Sequence, residues 1–491
     1  MALGRCFRVY HKHVRGTTGT DADAAAAPYS LILDNSRSDA DFLLFESGVV
    51  AALDTADCQE FRSKYSKLAD VYGCLGVLQL QSASGEPLRY LATVSACISV
   101  GKIGACDVFR VTGVLLFPMW APLPAGAQNY GNQSVDEIAK MIASGMFYFA
   151  SSSATEDDSA MFDLSLSAQK RSAKSENTNS DYRFFWNRSL HQPLQRYGID
   201  SKRWLLRCMC GSVLMKTVYV GHRVAKACLI SRLSCERMGT RFNVRGVNDD
   251  GHVANFVETE QVIFYDDQVI SHVQTRGSIP LFWEQPGVQV GSHKVKMSRG
   301  FEASAPAFNR HFNLLKHYYG AQLVVNLLGN KTGERMLSQA FKTHHEKSTH
   351  ASDVLYVAFD YHSLVRLHNK PANMTLLWER IKQPIEQYDM FHSVGDVAKR
   401  TQSGTVRTNC LDCLDRTNCT QSFIGMQVLA KQLEILQIAE KQASRFEQVY
   451  SDLWVQNGDQ CSRIYAGTGA LEGKSKVRPS GFDQSQPKRH S

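Results

Sequence analysis

From about residue 181 onward, short apolar runs alternate with longer segments of helical periodicity, and few folds accommodate that alternation. Strands that alternate with helices favour an α/β layer domain. The predicted elements are, in chain order, a hairpin of Val262–Tyr265 and Val269–Val273, a helix at Ala307–Tyr319, a strand at Leu323–Leu328, a helix at Glu334–His344, a strand at Val354–Asp360 and a helix at Met374–Tyr388.

The first 150 residues differ, because short strand-like runs are separated there by glycines and polar turns, which predicts a β-rich domain. Its predicted elements are strands at Cys6–Tyr10, Tyr29–Leu33, Leu43–Phe45, Leu75–Leu80, Tyr90–Val94 and Val108–Phe117, with a helix at Val135–Ser144. Residues 151–180 are rich in Ser, Asp, Glu, Asn and Lys, which is typical of a loop or linker. We therefore expect a β-rich domain at 1–150, a linker at 151–180, an α/β catalytic domain at 181–476 and a basic polar tail at 477–491.

Composition restricts the protein's class and location. The 491 residues are 43% hydrophobic and 21% charged, which is ordinary for a globular protein. The net charge of +8 suits an acidic substrate, an anionic membrane or nucleic acid, and does not choose among them. Thirteen cysteines without a framework spacing, the lack of a signal peptide and the shortness of the apolar runs predict a reducing, cytoplasmic protein that visits membrane surfaces peripherally.

The segment around Cys410 carries the clearest chemical signal. A predicted strand, Thr405–Thr408, precedes it, and a predicted helix follows it, with apolar residues at helical spacing. Those residues are Phe423, Met426, Ala430, Leu433 and Leu436. The free N–H groups and the positive dipole end of such a helix point at the loop, where they favour a bound phosphate.

Cys410, five intervening residues and Arg416 have the Cys-x5-Arg spacing of cysteine-dependent phosphatases. Five residues can curl the backbone so that the N–H groups from Leu411 to Arg416 converge on one phosphoryl group, which the guanidinium then grips with its planar fork. The same field would lower the pKa of the Cys410 thiol from about 8.5 and make it a nucleophile. The candidate substrate contacts in the loop are Asn409, Leu411, Cys413 and Leu414, and the Thr417 hydroxyl could donate to the sulfur.

The oxygen that leaves phosphorus needs a proton, and two carboxyl groups inside the loop could supply it. Asp412 and Asp415 have an arrangement that resembles the myotubularin phosphatases, by which analogy Asp415 is the preferred general acid. The alternative role of both residues is structural, as a helix cap or as a partner of Arg416.

Other interpretations of the loop stay open at this point. Cys410 and Cys413 also form a Cys-x-x-Cys pair, which is typical of redox and zinc sites. A closed zinc site needs about four ligands, and no second Cys-x-x-Cys exists in the chain. A redox pair does not account for Arg416 and Thr417, and a buried structural loop is the remaining alternative.

The segment RTNCLDCLDRTN at 407–418 resembles the signature of the Sac-domain phosphoinositide phosphatases. Two further segments match, RMGTR at 237–241 with GHVANFVETEQ at 251–261, and RGSIPLFWEQ at 276–285. Within that family the chain resembles the synaptojanin group, from FRVYHK at 7–12 through FFWN at 184–187 to IYAGTGALEGK at 464–474.

The resemblance implies a β-rich N-terminal domain packed on an α/β catalytic domain. It implies hydrolysis of phosphatidylinositol 4-phosphate, 3-phosphate and 3,5-bisphosphate without a metal or other cofactor. Arg237, Arg241 and Arg276 become candidate contacts for head-group phosphates. The implied partners are phosphoinositides at an anionic membrane, with no nucleic acid, and the implied role is in endocytic and synaptic vesicle recycling at presynaptic or endocytic sites.

The chain departs from the synaptojanin group after about Lys476. Synaptojanins continue there into an inositol 5-phosphatase domain and a Pro-rich tail, so neither 5-phosphatase activity nor binding of endocytic protein partners is expected of these residues. Two further hypotheses stay open, namely a catalytically silent phosphoinositide-binding module and a protein-tyrosine phosphatase that uses the same loop.

Overall fold

The computed structural model describes residues 4–12, 29–36, 42–46, 48–53, 64–81, 85, 87–104, 106–119, 131–152, 163–173, 180–241, 243–285, 294–366, 373–409, 411 and 414–467. The chain divides into two compact units, one formed by residues up to Ser165 together with Ser180–Cys210, the other by Leu166–Asn179 together with the residues from Gly211 onward. The domain limits predicted at 150 and 181 stay a prediction. The predicted tail, 477–491, lies outside the described residues.

The strands are β1 Phe7–Lys12, β2 Ser30–Asn35, β3 Phe42–Glu46, β4 Val49–Leu53, β5 Tyr65–Val71, β6 Gly73–Gln81, β7 Pro87–Ile103, β8 Cys106–Pro118, β9 Phe147–Ser152, β10 Met209–Val220, β11 Arg223–Leu233, β12 Val257–Tyr265, β13 Gln268–Gly277, β14 Trp283–Glu284, β15 Lys296–Met297, β16 Ala321–Asn326, β17 Val354–Ala358, β18 Phe391–Val394, β19 Val397–Arg400 and β20 Gly404–Asn409. The helices are α1 Gly131–Ile142, α2 Ala168–Ser172, α3 Arg188–Gln195, α4 Ser201–Trp204, α5 Phe301–Tyr319, α6 Thr332–Lys347, α7 Met374–Tyr388, α8 Asp415–Ile435 and α9 Glu440–Ala466, with one π-helical turn at His362–Arg366.

The first unit is built on antiparallel strands, as the sequence predicts. Five of them form a sheet in the order β4-β3-β2-β1-β5, and β6, β7, β8 and β9 pair in sequence order in a second sheet. Strand β1 lies between β2 and β5 in the first sheet, and its residues Phe7 and Val9 are buried there with Leu31 and Leu33 of β2. The prediction of a β-rich first part is confirmed.

The second unit contains a mixed sheet in the order β17-β16-β20-β13-β12-β11-β10. Strands β17, β16, β20 and the end of β13 are parallel to one another, whereas β13 to β10 form antiparallel pairs. Parallel strands are covered by helices on both faces, so they are buried along their whole length. Five of the six residues of β16 and all six of β20 are buried accordingly. The α/β class predicted for this part of the chain is confirmed.

Helices cover both faces of the parallel strands. On one face, Val325 and Val406 share a core with Ile381 of α7, Val428 of α8 and Trp454 of α9. On the other face, Phe341 of α6 contacts Tyr356 of β17 and Phe308 of α5, with ring centroids 5.3 and 5.4 Å apart. The apolar faces of these helices therefore hold the carboxyl end of β20 and the start of α8 in place by packing on both sides of the sheet.

Part of the predicted linker at 151–180 is folded. Helix α2 begins at Ala168, whose backbone N–H donates to Glu260 Oε1 over 2.7 Å. Glu260 and Glu258 bind the guanidinium of Arg232 at 2.7 and 3.0 Å, and all three side chains are fully buried. Since a charge is tolerated in a protein interior only when it is paired, this cluster joins β11, β12 and α2.

Candidate active site

The candidate site lies where the parallel strands of the second unit end. The strand register aligns Gly277 of β13 with Asn409 of β20, Asn409 with Asn326 of β16, and Asn326 with Ala358 of β17. The segments that follow these four residues therefore leave the sheet at the same edge. In α/β sheets, ligands bind in the crevice outside the carboxyl ends of the strands.

The strand and the helix predicted on either side of the Cys-x5-Arg motif are confirmed, whereas the form of the loop between them stays a prediction. Strand β20 ends at Asn409 and α8 begins at Asp415, so the first turn of the helix faces the loop. Cys410, Asp412 and Cys413 lie outside the described residues. The roles predicted for them stay predictions.

Two loop residues are described, and each is anchored through its carbonyl group. The Leu411 carbonyl accepts a hydrogen bond from Arg245 Nη1 over 3.0 Å. The Leu414 carbonyl accepts from the backbone N–H of Asn418 over 2.8 Å, which begins the hydrogen bonding of α8. Arg245 also donates to Gln285 Oε1 over 3.0 Å and stacks over Trp283, so the loop is tied to a segment far away in sequence.

Strand β20 is itself anchored by a buried arginine. Arg407 Nε donates to His311 Nε2 over 3.0 Å, and Arg407 Nη2 donates to the Ser278 carbonyl over 2.8 Å. His311 Nδ1 donates to the Gly251 carbonyl over 2.8 Å, so this imidazole is neutral. Burial, and next the charge of Arg407, hold the pKa of His311 well below 6.5. The strand that leads into the loop is therefore fixed by a side chain of α5 and by a backbone carbonyl from the segment after β13.

Arg416 is on the first turn of α8 and makes a two-pronged ion pair with Glu334. Arg416 Nη2 donates to Glu334 Oε1 over 2.8 Å and Nη1 to Oε2 over 2.9 Å, while the Leu327 carbonyl lies 3.4 Å from Nη1. Burial raises the pKa of Glu334, but Arg416 and the Gly329 N–H outweigh it, so the pKa stays below its ordinary value. Glu334 is ionised at neutral pH.

A small polar cavity of about 120 Å³ opens beside this ion pair. It is lined by Gly329, Asn330, Lys331, Glu334, His362 and Arg416. These residues belong to the segments that follow β16 and β17 and to the start of α8. Two cationic side chains, Arg416 and Lys331, therefore line the same cavity at the carboxyl ends of the strands.

Three predicted site residues flank the loop on its buried side. Asn409 and Thr417 are fully buried, and neither the Asn409 amide nor the Thr417 hydroxyl has a hydrogen-bond partner in the described part of the chain. Asp415 is the first residue of α8 and is half-buried. The role of the Thr417 hydroxyl toward sulfur stays a prediction.

The three arginines named from the family resemblance have different surroundings. Arg237 Nη2 donates to the Arg245 carbonyl over 2.8 Å, and the backbone N–H of Arg241 donates to the Tyr465 carbonyl of α9 over 3.1 Å. Arg276 is only 1% exposed, opposite Thr408 of β20, and none of its three guanidinium nitrogens has a hydrogen-bond partner among the described residues. Burial lowers the pKa of Arg237.

Sequence reasoning did not identify Glu334 as a site residue. It treated Glu334 only as the start of a helix, although an acid in the first turn of a helix that follows a buried strand is a weak signal for this position. Arg245, which holds the Leu411 carbonyl, is likewise absent from the candidate residues of the sequence analysis. In the described part of the chain, no group of three His, Cys, Asp or Glu side chains is arranged to hold a metal ion.

Comparison with known proteins identifies the family of the chain. A model of the SacI homology domain matches residues 72–366. The chain is 51% identical to synaptojanin-1 of Homo sapiens over 480 residues, which covers 97% of the chain and 29% of that protein. It is 45% identical to synaptojanin of Caenorhabditis elegans, covering 93% of the chain and 39% of that protein.

A relative of more similar length comes from a plant. The chain is 31% identical to phosphoinositide phosphatase SAC6 of Arabidopsis thaliana over 475 residues, which covers 92% of the chain and 74% of that protein. The chain thus spans less than a third of synaptojanin-1 but most of the plant protein. With a family model that matches more than half of its residues, the chain belongs to the SacI homology domain family.

Proposed function

We propose that this chain is a cysteine-dependent phosphoinositide phosphatase. The observation that carries the proposal is the position of Arg416, on the first turn of α8, beside a polar cavity at the carboxyl edge of the parallel strands. A phosphoryl group there would meet the start of a helix and a guanidinium together, which is a favourable site for a dianion. The name of the plant relative, a phosphoinositide phosphatase, supports a lipid head group as substrate.

The proposed reaction has two steps. The Cys410 thiolate attacks phosphorus, an S–P bond forms, and the P–O bond to the inositol ring breaks. Asp415 protonates the leaving oxygen, with Asp412 as the alternative acid. Water then attacks phosphorus and gives a proton back to the carboxylate formed in the first step. The S–P bond breaks, inorganic phosphate leaves, and the thiolate is regenerated, aided by the Thr417 hydroxyl. Arg416 binds the non-bridging oxygens in both steps.

The proposed substrates are the 4-phosphate, the 3-phosphate and the 3,5-bisphosphate of phosphatidylinositol. The backbone of Asn409, Leu411, Cys413 and Leu414 would surround the reacting phosphate, while Arg237, Arg241 and Arg276 would strengthen the positive field that attracts the head group.

We further propose that the protein acts peripherally on membranes during endocytic and synaptic vesicle recycling, as the synaptojanin relatives suggest. None of the helices in the described ranges has the length and hydropathy that crossing a bilayer requires.

The test is a phosphate-release panel across all phosphoinositides, run on the wild-type chain and on Cys410→Ser. We expect release from the three proposed lipids and a fall to below about one thousandth of the wild-type rate in Cys410→Ser, because the nucleophile is gone. Equal turnover by the two proteins would end the proposal.

Two other outcomes point to the competing hypotheses. Binding of phosphoinositide vesicles without any phosphate release, even at high protein concentration, would indicate a silent binding module. Faster release from a phosphotyrosine peptide than from every lipid would indicate a protein-tyrosine phosphatase.

A further inference from the structure

We propose that Glu334 is a positioning residue, which holds the guanidinium of Arg416 in the orientation that binds the phosphoryl oxygens and acts on the reaction only through Arg416. The inference rests on the proposed function, since that function makes Arg416 the oxyanion-binding side chain. Glu334 is 82 residues away in sequence from the residue it would orient.

The contact between the two side chains fixes both a position and a plane. Two parallel N–H···O bonds of 2.8 and 2.9 Å join the guanidinium to the carboxylate. Because both groups are planar, such a pair restricts rotation about the long arginine side chain more than a single hydrogen bond would. The Leu327 carbonyl, 3.4 Å from Nη1, bounds the guanidinium on the same side.

Glu334 can orient Arg416 because Glu334 is itself held in place. It is the third residue of α6, and its Oε2 accepts the backbone N–H of Gly329 over 2.6 Å. The helix is fixed below it by Leu337 and Phe341, which are fully buried. The carboxylate side chain is 12% exposed and the guanidinium 18%, so solvent competes little for either.

The charge of Glu334 argues against a role in stability alone. A carboxylate beside an anion site repels the incoming phosphate and cancels part of the field of Arg416. An apolar or neutral residue at this position would join α6 to α8 without that repulsion. A carboxylate is favourable here if the order that it imposes on Arg416 outweighs the repulsion, because catalysis depends on preorganised charge.

A direct role of Glu334 in the chemistry would have different consequences. The ion pair keeps the pKa of the carboxyl group below its ordinary value, so Glu334 is not protonated at neutral pH and is a poor general acid. Positioning predicts that replacing Glu334 matters only while Arg416 is present. A double-mutant cycle between the two residues therefore separates positioning from an independent role.

The experiment uses the full chain as wild type, Glu334→Gln, Arg416→Lys and the double variant. Binding of inorganic phosphate is measured by calorimetry, and kcat and KM are measured on dioctanoyl phosphatidylinositol 4-phosphate. We expect Glu334→Gln to weaken phosphate binding and to lower kcat/KM at least about tenfold each. In the Arg416→Lys background, the same replacement should change either value less than about twofold.

Two further variants test whether the effect is specific to the position and to the length of the Glu334 side chain. Glu346→Gln on the same helix removes an exposed carboxylate, paired with Lys342 at 3.7 Å, and should leave both readouts within about twofold of wild type. Glu334→Asp keeps the charge but shortens the side chain, so its values should lie between those of wild type and Glu334→Gln. It also replaces Glu334→Gln in the cycle if the latter does not fold.

The proposal is overturned if Glu334→Gln binds phosphate as tightly as wild type, or if its effects are equally large in both backgrounds. It is also overturned if the wild-type chain binds no phosphate. Wild-type phosphate binding that depends on Arg416, without hydrolysis of any phosphoinositide, would instead defeat the proposed function. In that case the binding cycle alone still decides the role of Glu334.

Discussion

Arg276 carries its charge in a place where an isolated charge is costly. Its guanidinium is buried beside β20, one strand from the loop, without a hydrogen-bond partner in the described ranges. The contrast with Arg232 is direct, because Arg232 is equally buried but is paired with two carboxylates. A buried cation that is not used for stability is a candidate for attracting an anion.

Replacement of Arg276 by Met should therefore separate function from stability. We expect the thermal midpoint to stay the same or rise, because an unpaired charge is removed. We expect kcat/KM on phosphatidylinositol 4-phosphate to fall at least about tenfold, because a cation behind the loop is lost.

The matched control for that variant is Arg232→Met, which leaves Glu258 and Glu260 buried without their partner. Differential scanning calorimetry should show a loss of about 3–5 kcal/mol or failure to fold. Loss of stability in Arg276→Met of the same size as in Arg232→Met would contradict the functional role of Arg276.

Elements with a clear period were predictable, and those that depend on distant partners were not. Helix α7 has the predicted bounds, Met374–Tyr388, and the helix after Cys410 was predictable because its apolar residues recur at helical spacing. Strand β12 begins at Val257 and is longer than the predicted Val262–Tyr265. Its first half contains Glu258 and Glu260, and charged residues do not indicate a buried strand in the sequence. Their partner, Arg232, is remote in sequence, as Arg416 is for Glu334.

Packing between α8, α9 and β12 depends on one glycine. A Cβ atom at Gly425 would lie 2.7 Å from Gln261 Oε1 and 2.8 Å from Trp454 Nε1. These two side chains are buried and bonded to each other at 3.0 Å, and Gln261 Nε2 also donates to the Gly425 carbonyl over 2.9 Å. The backbone of α8 can approach the sheet this closely only without a side chain.

Gly425→Ala should destabilise the protein, although alanine is the better helix former by about 1 kcal/mol. The added methyl group must displace a buried hydrogen-bonded pair, and overpacking of this kind costs about 1–3 kcal/mol. Urea unfolding should therefore show a lower midpoint. Gly4→Ala is the control, since Gly4 is exposed outside any helix or strand and a Cβ atom there meets only Cys6 Sγ, at 3.4 Å, so its midpoint should match wild type. A higher midpoint for Gly425→Ala would contradict this packing.

At the scale of the whole molecule, each unit contains a histidine whose pKa is strongly lowered by burial. Burial lowers the pKa of His191 in the first unit and of His272 in the second, in both cases to about 4. The unfolded chain therefore binds protons at a higher pH than the folded chain does. It follows that the free energy of unfolding is constant well above pH 6.5 and falls as the pH decreases from 6.5 toward 4.

Chemical unfolding between pH 7.5 and 4.5 checks this dependence. Each buried histidine should contribute a slope of about 1.4 kcal/mol per pH unit below pH 6. His272→Gln should remove one such contribution, and replacement of the exposed His222 by Gln should leave the slope unchanged. A slope that is the same in wild type and His272→Gln would show that His272 is not buried in its neutral form.

The last turn of helix α9 contacts the segment 237–241, because the Tyr465 carbonyl accepts a hydrogen bond from the backbone N–H of Arg241. Further back, Asn457 Oδ1 accepts the hydroxyl of Ser231 over 2.8 Å. Synthesis on the ribosome proceeds from the N-terminus, so strands β10 to β13 emerge more than 150 residues before this helix can cover them. During that interval the apolar residues that this helix later covers stay exposed, and transiently exposed apolar surface is where growing chains aggregate.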